Sequence, residues 1–336
     1  MDNNLNNTPT PQWDIQPPPN RPTDKLLSIG LSLLKAIGYV GIWLAVQTVL
    51  VTVFTVVVAI DNRGLSQKEL SDLVTKYSIE LTLITNLITL GIFVVIFLLL
   101  RKSFLARIKA NTPQPLTLAP TGILGVSAQF STLFILGLLM AFFPADWIES
   151  MEQNSEIMNN ANQTVVFITT VIMAPIFEEI MCRGLILGTL RKSMNKWVAI
   201  VLSALIFGVI HGNAIQIIYA TALGILLGWI YTKTNSIFIP MLCHLTFNLT
   251  STLLQYVNTE NPIMAVILTL IMIGSLPITV LCILFFWFKK SPLEDKMQIT
   301  PTHHYTTYTS YPEYNESALS SIKEQVEGSK NNENGD

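Results

Sequence analysis

Residues 164–190 read TVVFITTVIMAPIFEEIMCRGLILGTL. The run is apolar except for a few small polar side chains and three charges, Glu178, Glu179 and Arg183. A helix needs roughly 20 apolar residues to cross a bilayer, and this stretch has enough. An ionised side chain at the centre of such a helix costs roughly 2.5–3.5 kcal/mol, so three cost about 8–10 kcal/mol before pairing. Some interaction or function must offset that cost. Glu179 and Arg183 are four apart, share a helix face and can form an ion pair. Glu178 points about 100° away around the helix and is left out of that pair. Two adjacent carboxylates in a low-dielectric setting repel each other, which suits an acid/base site better than a structural staple.

The rest of the chain fits a membrane protein. Of 336 residues, 20 are Lys or Arg and 22 are Asp or Glu, so 12% are charged. An ordinary soluble domain carries about 25%. Half the chain is hydrophobic, and the mean hydropathy is +0.49. A net charge of −2 offers no basic surface for nucleic acid. Three cysteines, none in a CxxC pair, give neither a disulfide framework nor zinc-ribbon spacing.

Eight apolar stretches are predicted as membrane helices: 36–60, 81–100, 121–143, 164–190, 197–211, 214–231, 237–257 and 263–288. The expected fold is therefore an all-α, polytopic membrane helix bundle. The fifth and sixth stretches are short and joined only by Gly212-Asn213, which suggests a tight hairpin turning within the membrane. The first stretch is too long for a secretory signal and reads as an uncleaved span. Segments 61–80 and 144–163 read as loops. Lys and Arg number twelve on one side of this topology and three on the other, which places both termini in the cytoplasm, in a membrane expected to be bacterial. The expected organisation is a disordered tail at 1–25, N-terminal membrane helices at 26–159, a core at 160–256, a last membrane helix at 257–290 and a second disordered tail at 291–336. His303-His304 falls in that second tail and reads as incidental.

Both histidines outside the tail lie in predicted spans, His211 at the end of the fifth and His244 in the seventh. Asn248 is four residues after His244 and shares its face. Measured from the cytoplasmic ends at 1.5 Å per residue, Glu178 is about 18 Å deep, His211 about 21 Å, His244 about 11 Å and Asn248 about 17 Å. All fall in the middle band of a core roughly 30 Å thick. Pro175 and Pro240 sit just upstream of these polar groups and can kink their helices. Gly224-x-x-x-Gly228 gives the sixth span a small face for close packing. Cys182 and Cys243 read as small apolar filler.

Three motifs emerge in order: EExxxRG at 178–184, FxxxH at 207–211 and HxxxN at 244–248. With these the chain resembles the CAAX protease and bacteriocin-processing family (CPBP, also called Abi), which includes the type II CAAX prenyl endopeptidases. The resemblance covers about 160–256. It implies an intramembrane endopeptidase acting on a peptide or protein in the membrane, with or without a lipid attached. It further implies that Glu178 and His211 activate a water, that His244 and Asn248 form the oxyanion site, and that Glu179 and Arg183 orient or tune the base.

General-base activation of water and donors for a tetrahedral oxyanion are what peptide hydrolysis requires. No cofactor follows directly from the residues. A zinc ion held by Glu178, His211 and His244 is the one metal site they could make. The metal-free mechanism is preferred, because zinc would use up the groups needed as base and donors. The substrate is expected from the cytoplasmic half. The alternatives are a proton-coupled transporter and a non-enzymatic immunity or scaffold protein.

Overall fold

The computed structural model describes residues 22–290, and no strand occurs among them. The two expected tails, with His303 and His304, lie outside the described residues except for 22–25. Those four residues open α1 (Pro22–Asp61), which starts well before the expected position 36. Its first turns mix exposed leucines with Lys25 and Lys35. Leu and Lys both favour helix, so the helix continues where hydropathy is interrupted.

Ten further helices follow: α2 (Gln67–Lys76), α3 (Ser78–Leu99), α4 (Phe104–Ile108), α5 (Leu118–Leu139), α6 (Ala145–Asn160), α7 (Gln163–Leu190), α8 (Lys196–Val209), α9 (Ala214–Thr234), α10 (Phe238–Leu254) and α11 (Pro262–Phe288). Among the described residues six helices, α1, α3, α5, α7, α9 and α11, are long and apolar enough to cross a membrane. The apolar α8 and α10 are shorter. The chain is an integral, multi-pass membrane protein.

Helix starts carry their own caps. Asn162, Asn195, Asn213 and Asn261 each accept first-turn N–H groups of α7, α8, α9 and α11. Without such an acceptor those donors would be stranded at the membrane boundary. The segments 61–80 and 144–163 contain helices rather than loops alone. Ser66 and Glu69 form a reciprocal capping box that starts α2. Along α6, Trp147, Ile148, Met151, Ile157 and Met158 are half-buried among exposed polar residues. That spacing makes α6 an amphipathic helix with no fully buried side chain.

The helices approach closely where glycine permits it. A Cβ on Gly125 of α5 would overlap Thr246 and the Cys243 carbonyl of α10. One on Gly224 of α9 would lie 3.0 Å from the Ala204 backbone of α8. α5 packs between α10 and α11, while α8 and α9 form a tight antiparallel pair. At the centre, Met181, Cys182, Leu185, Ile186, Leu187 and Leu190 of α7 are fully buried.

α7 is not a uniform helix. Residues 168–173 and 180–187 are wound as π-helix, and the α-helical turn between them, Ala174–Glu179, carries both glutamates. Local π winding is frequent at functional sites because it re-aims side chains and frees carbonyls.

Candidate active site

Glu179 and Arg183 form the expected pair within α7. Arg183 Nη1 donates to Glu179 Oε1 at 2.8 Å, and both side chains are almost completely buried. Arg183 Nη2 also donates to the Gly224 carbonyl of α9 at 3.1 Å. Its guanidinium carbon lies 4.4 Å from the Phe207 ring centroid. The cation is thus held by a carboxylate, a carbonyl and an aromatic face, a combination that suits the planar arginine fork.

His244 reaches the same carboxylate from α10. Its Nδ1 lies 3.0 Å from Glu179 Oε1, and its Nε2 lies 3.8 Å from Glu178 Oε2. The first distance is a hydrogen bond; the second is an electrostatic approach only. A carboxylate can only accept, so Nδ1 carries the hydrogen and Nε2 faces Glu178. Glu179 Oε2 is buried without a hydrogen-bond partner. Glu178 retains about 18% of its side-chain exposure where Glu179 has none. Adjacent positions on one helix therefore have different surroundings, as their 100° separation requires.

His211 is not inside a helix. It follows the end of α8, in a turn where Gly212 adopts φ of +75° and Asn213 caps α9. The left-handed glycine stops α8, so the expected span ends earlier than position 211. His211 Nδ1 donates to the Phe207 carbonyl at 2.7 Å, which leaves Nε2 as the nitrogen free to engage water or substrate. Phe207 packs edge-on against both His211 and His244, at centroid distances of 4.9 and 5.7 Å.

Asn248 has a partner that the sequence did not announce. Its Nδ2 donates to the Thr170 carbonyl at 2.8 Å. In the π-wound segment the Ala174 N–H reaches back to the Thr169 carbonyl. The next donor in that register would be residue 175, a proline with no N–H. Pro175 thus leaves the Thr170 carbonyl open, and the Asn248 amide fills the place. The second amide hydrogen and Oδ1 remain for other work.

Glu178, His211, His244 and Asn248 line one cavity of about 600 Å³. Gln129, Gln216 and Tyr219 line it too. These, with the Thr170 and Gly224 carbonyls, are site groups that sequence reasoning missed; single polar residues scattered over separate spans give no motif. A separate groove of about 410 Å³ between α2 and α6, lined by Asp72, Lys76 and Glu156 among others, holds none of the candidate residues. Among the described residues no three His, Cys, Asp or Glu side chains are placed to hold a metal ion. The set Glu178, His211 and His244 does not converge as zinc ligands in this arrangement, whose bonds would be about 2.0–2.2 Å long.

One glutamate, two histidines and an amide thus line one cavity of a helical membrane protein, and the buried Glu179 reaches it through His244. Residues 160–250 match the family described as Type II CAAX prenyl endopeptidase Rce1-like. The chain is also 30% identical over 111 residues to a Bacillus subtilis (strain 168) protein named "Putative membrane peptidase YdiL". That match covers 32% of this chain and 46% of the relative, so the chain spans about half the length of the curated relative it matches. No solved structure matches the chain. Over the core at 160–250 the chain is thus similar to the CPBP/CAAX protease family that its motifs resemble.

Proposed function

We propose that the protein is an intramembrane endopeptidase that hydrolyses a peptide bond in a membrane-associated peptide or protein with a water activated by Glu178 and His211. One observation carries this reading: Glu178 of α7, His211 of the α8–α9 turn and His244 and Asn248 of α10, groups that suit base and oxyanion roles, all line one cavity. The family match over the same core supports it.

In this mechanism the Glu178 carboxylate takes a proton from water while His211 Nε2 holds and orients that water. The oxygen attacks the scissile carbonyl carbon. The free N–H of Asn248 faces the developing oxyanion, and so does His244 Nε2–H when the ring, set between two carboxylates, carries a second proton. Collapse breaks the C–N bond, and Glu178 returns its proton to the leaving amine. Such donors are typically worth 10²–10³-fold each, and a general base 10²–10⁴-fold. Glu179 and Arg183 act as positioning residues, since they reach the site through His244 and Phe207. No step is routed through a metal.

The test compares peptide termini in membranes that carry the wild type or Glu178→Gln. New termini that depend on Glu178 support the endopeptidase. Identical termini at equal expression refute it and leave the transporter, scaffold and immunity readings.

A further inference from the structure

The cavity is not centred in the membrane; it occupies one half. Glu178 and His244, near the middle of their helices, mark its inner limit, and the rest of the lining comes mainly from one end. Asn86 is in the first half of α3, Gln129 in the second half of α5, Gln216 near the start of α9, and Ser251 and Gln255 near or just past the end of α10. Antiparallel connections bring those halves to a single face, and Asn154 of α6 lines the cavity there. α6 is tied across this face by the Asn213 Nδ2 to Ser150 hydrogen bond of 2.9 Å.

The opposite end is sealed. Below Glu178 and His244 lie Leu185, Leu187, Leu190, Ile239 and Cys243, all at 0% exposure. α4 then closes the base. Arg107 donates to the Leu185 and Gly188 carbonyls at the end of α7, at 2.9 and 3.1 Å. Ile108 lies so close to Gly184 that a Cβ there would sit 2.8 Å from it.

The two faces differ in charge. At the sealed end, segments 22–25, 101–117, 191–196, 232–237 and 289–290 hold eleven Lys or Arg and one acid, Asp24. At the open end, segments 61–80, 143–163, 210–213 and 255–261 hold three bases and nine acids. Lys and Arg in short connections mark the cytoplasmic side.

We infer that the cavity opens on the non-cytoplasmic face beneath α6, so that the substrate is a peptide segment presented on that face and not a lipidated tail at the cytoplasmic leaflet. The inference rests on the endopeptidase reading for its substrate, and for its direction on the geometry of the cavity together with the charge of the two faces. It reverses the cytoplasmic access expected from the sequence. The polar wall of Asn86, Gln129, Gln216 and Ser251 can solvate an extended backbone on its way to Glu178.

Cysteine accessibility in the full chain tests it. Ser251→Cys and Thr132→Cys report the cavity wall, Gln255→Cys the rim and Lys192→Cys the sealed face. The native cysteines are buried, so the wild type sets the background. A charged, membrane-impermeant maleimide on intact cells is expected to label positions 251, 132 and 255 as fully as in permeabilised cells. Position 192 is expected to label only after permeabilisation. The reverse pattern overturns the inference. So does a wall that stays unreactive at both 251 and 132 while 255 and 192 react. The same pattern is expected in a Glu178→Gln background, because labelling reads access and not turnover. Loss of the endopeptidase reading would show as unchanged termini with this labelling intact.

Discussion

Replacing Asn248 by alanine removes the donor that satisfies the Thr170 carbonyl. An unpaired, largely buried carbonyl costs about 1–3 kcal/mol. The Thr170 position is half-buried, so the lower part of that range applies. For a chain of 336 residues about 1–2 kcal/mol corresponds to a loss of roughly 1.5–3 °C in melting temperature. Pro175 is the reason that the carbonyl is open. Alanine at 175 restores an N–H that can continue the register set by the Ala174 to Thr169 bond. In a Pro175→Ala background, Asn248→Ala should therefore cost clearly less, with a coupling of about 1 kcal/mol between the two positions. The assay is a double-mutant cycle of thermal unfolding in detergent. Activity cannot stand in for it, because Asn248 also faces the cavity. An equal cost for Asn248→Ala in both backgrounds would refute the link between the proline, the π-wound segment and the amide.

Arg183→Ala leaves the buried Glu179 carboxylate without its cation and should cost about 3–5 kcal/mol. Arg183→Lys keeps the charge but loses the Gly224 contact and the flat face on Phe207, so its melting temperature should fall between the two; a wild-type value for either variant contradicts the pairing. Burial, with the Arg191 charge second, lowers the Lys109 ammonium to about 8. The unfolded chain keeps that proton to about 10.4, so folding gains stability as pH rises from about 8 to about 10.4. The wild type should gain melting temperature relative to Lys109→Met over that window, and parallel curves would count against it. Cleavage by the purified protein should survive a strong zinc chelator at full rate; loss on chelation and recovery with zinc would sink the metal-free mechanism.

Much of the bundle was legible because burial in lipid is a matter of composition. Apolar runs had to be helices, and the three charges of 178–183 stood out against them. The Glu179–Arg183 pair followed from i+4 spacing alone. Contacts between helices were out of reach. Nothing local says that His244 of α10 bonds Glu179, or that the flat Arg183 fork also meets Gly224 and Phe207. Asn248 was noticed as an amide facing the site, but its bond to Thr170 depends on π winding, which leaves no mark in a sequence beyond Pro175. The helix α6 was hidden because its half-buried stripe is short and its acids dominate the average. Asn86, Gln129 and Gln216 are isolated polar residues in three different spans, and only the fold brings them to one cavity.

The central claim is that Glu178 supplies the base. Its most direct test is the turnover of one peptide substrate by purified wild type and Glu178→Gln at equal folded concentration. The substitution keeps the size of the side chain and removes only its ability to take a proton. The account predicts a fall of about 10²–10⁴-fold in rate with an unchanged melting profile. Cleavage by Glu178→Gln at the wild-type rate would contradict it.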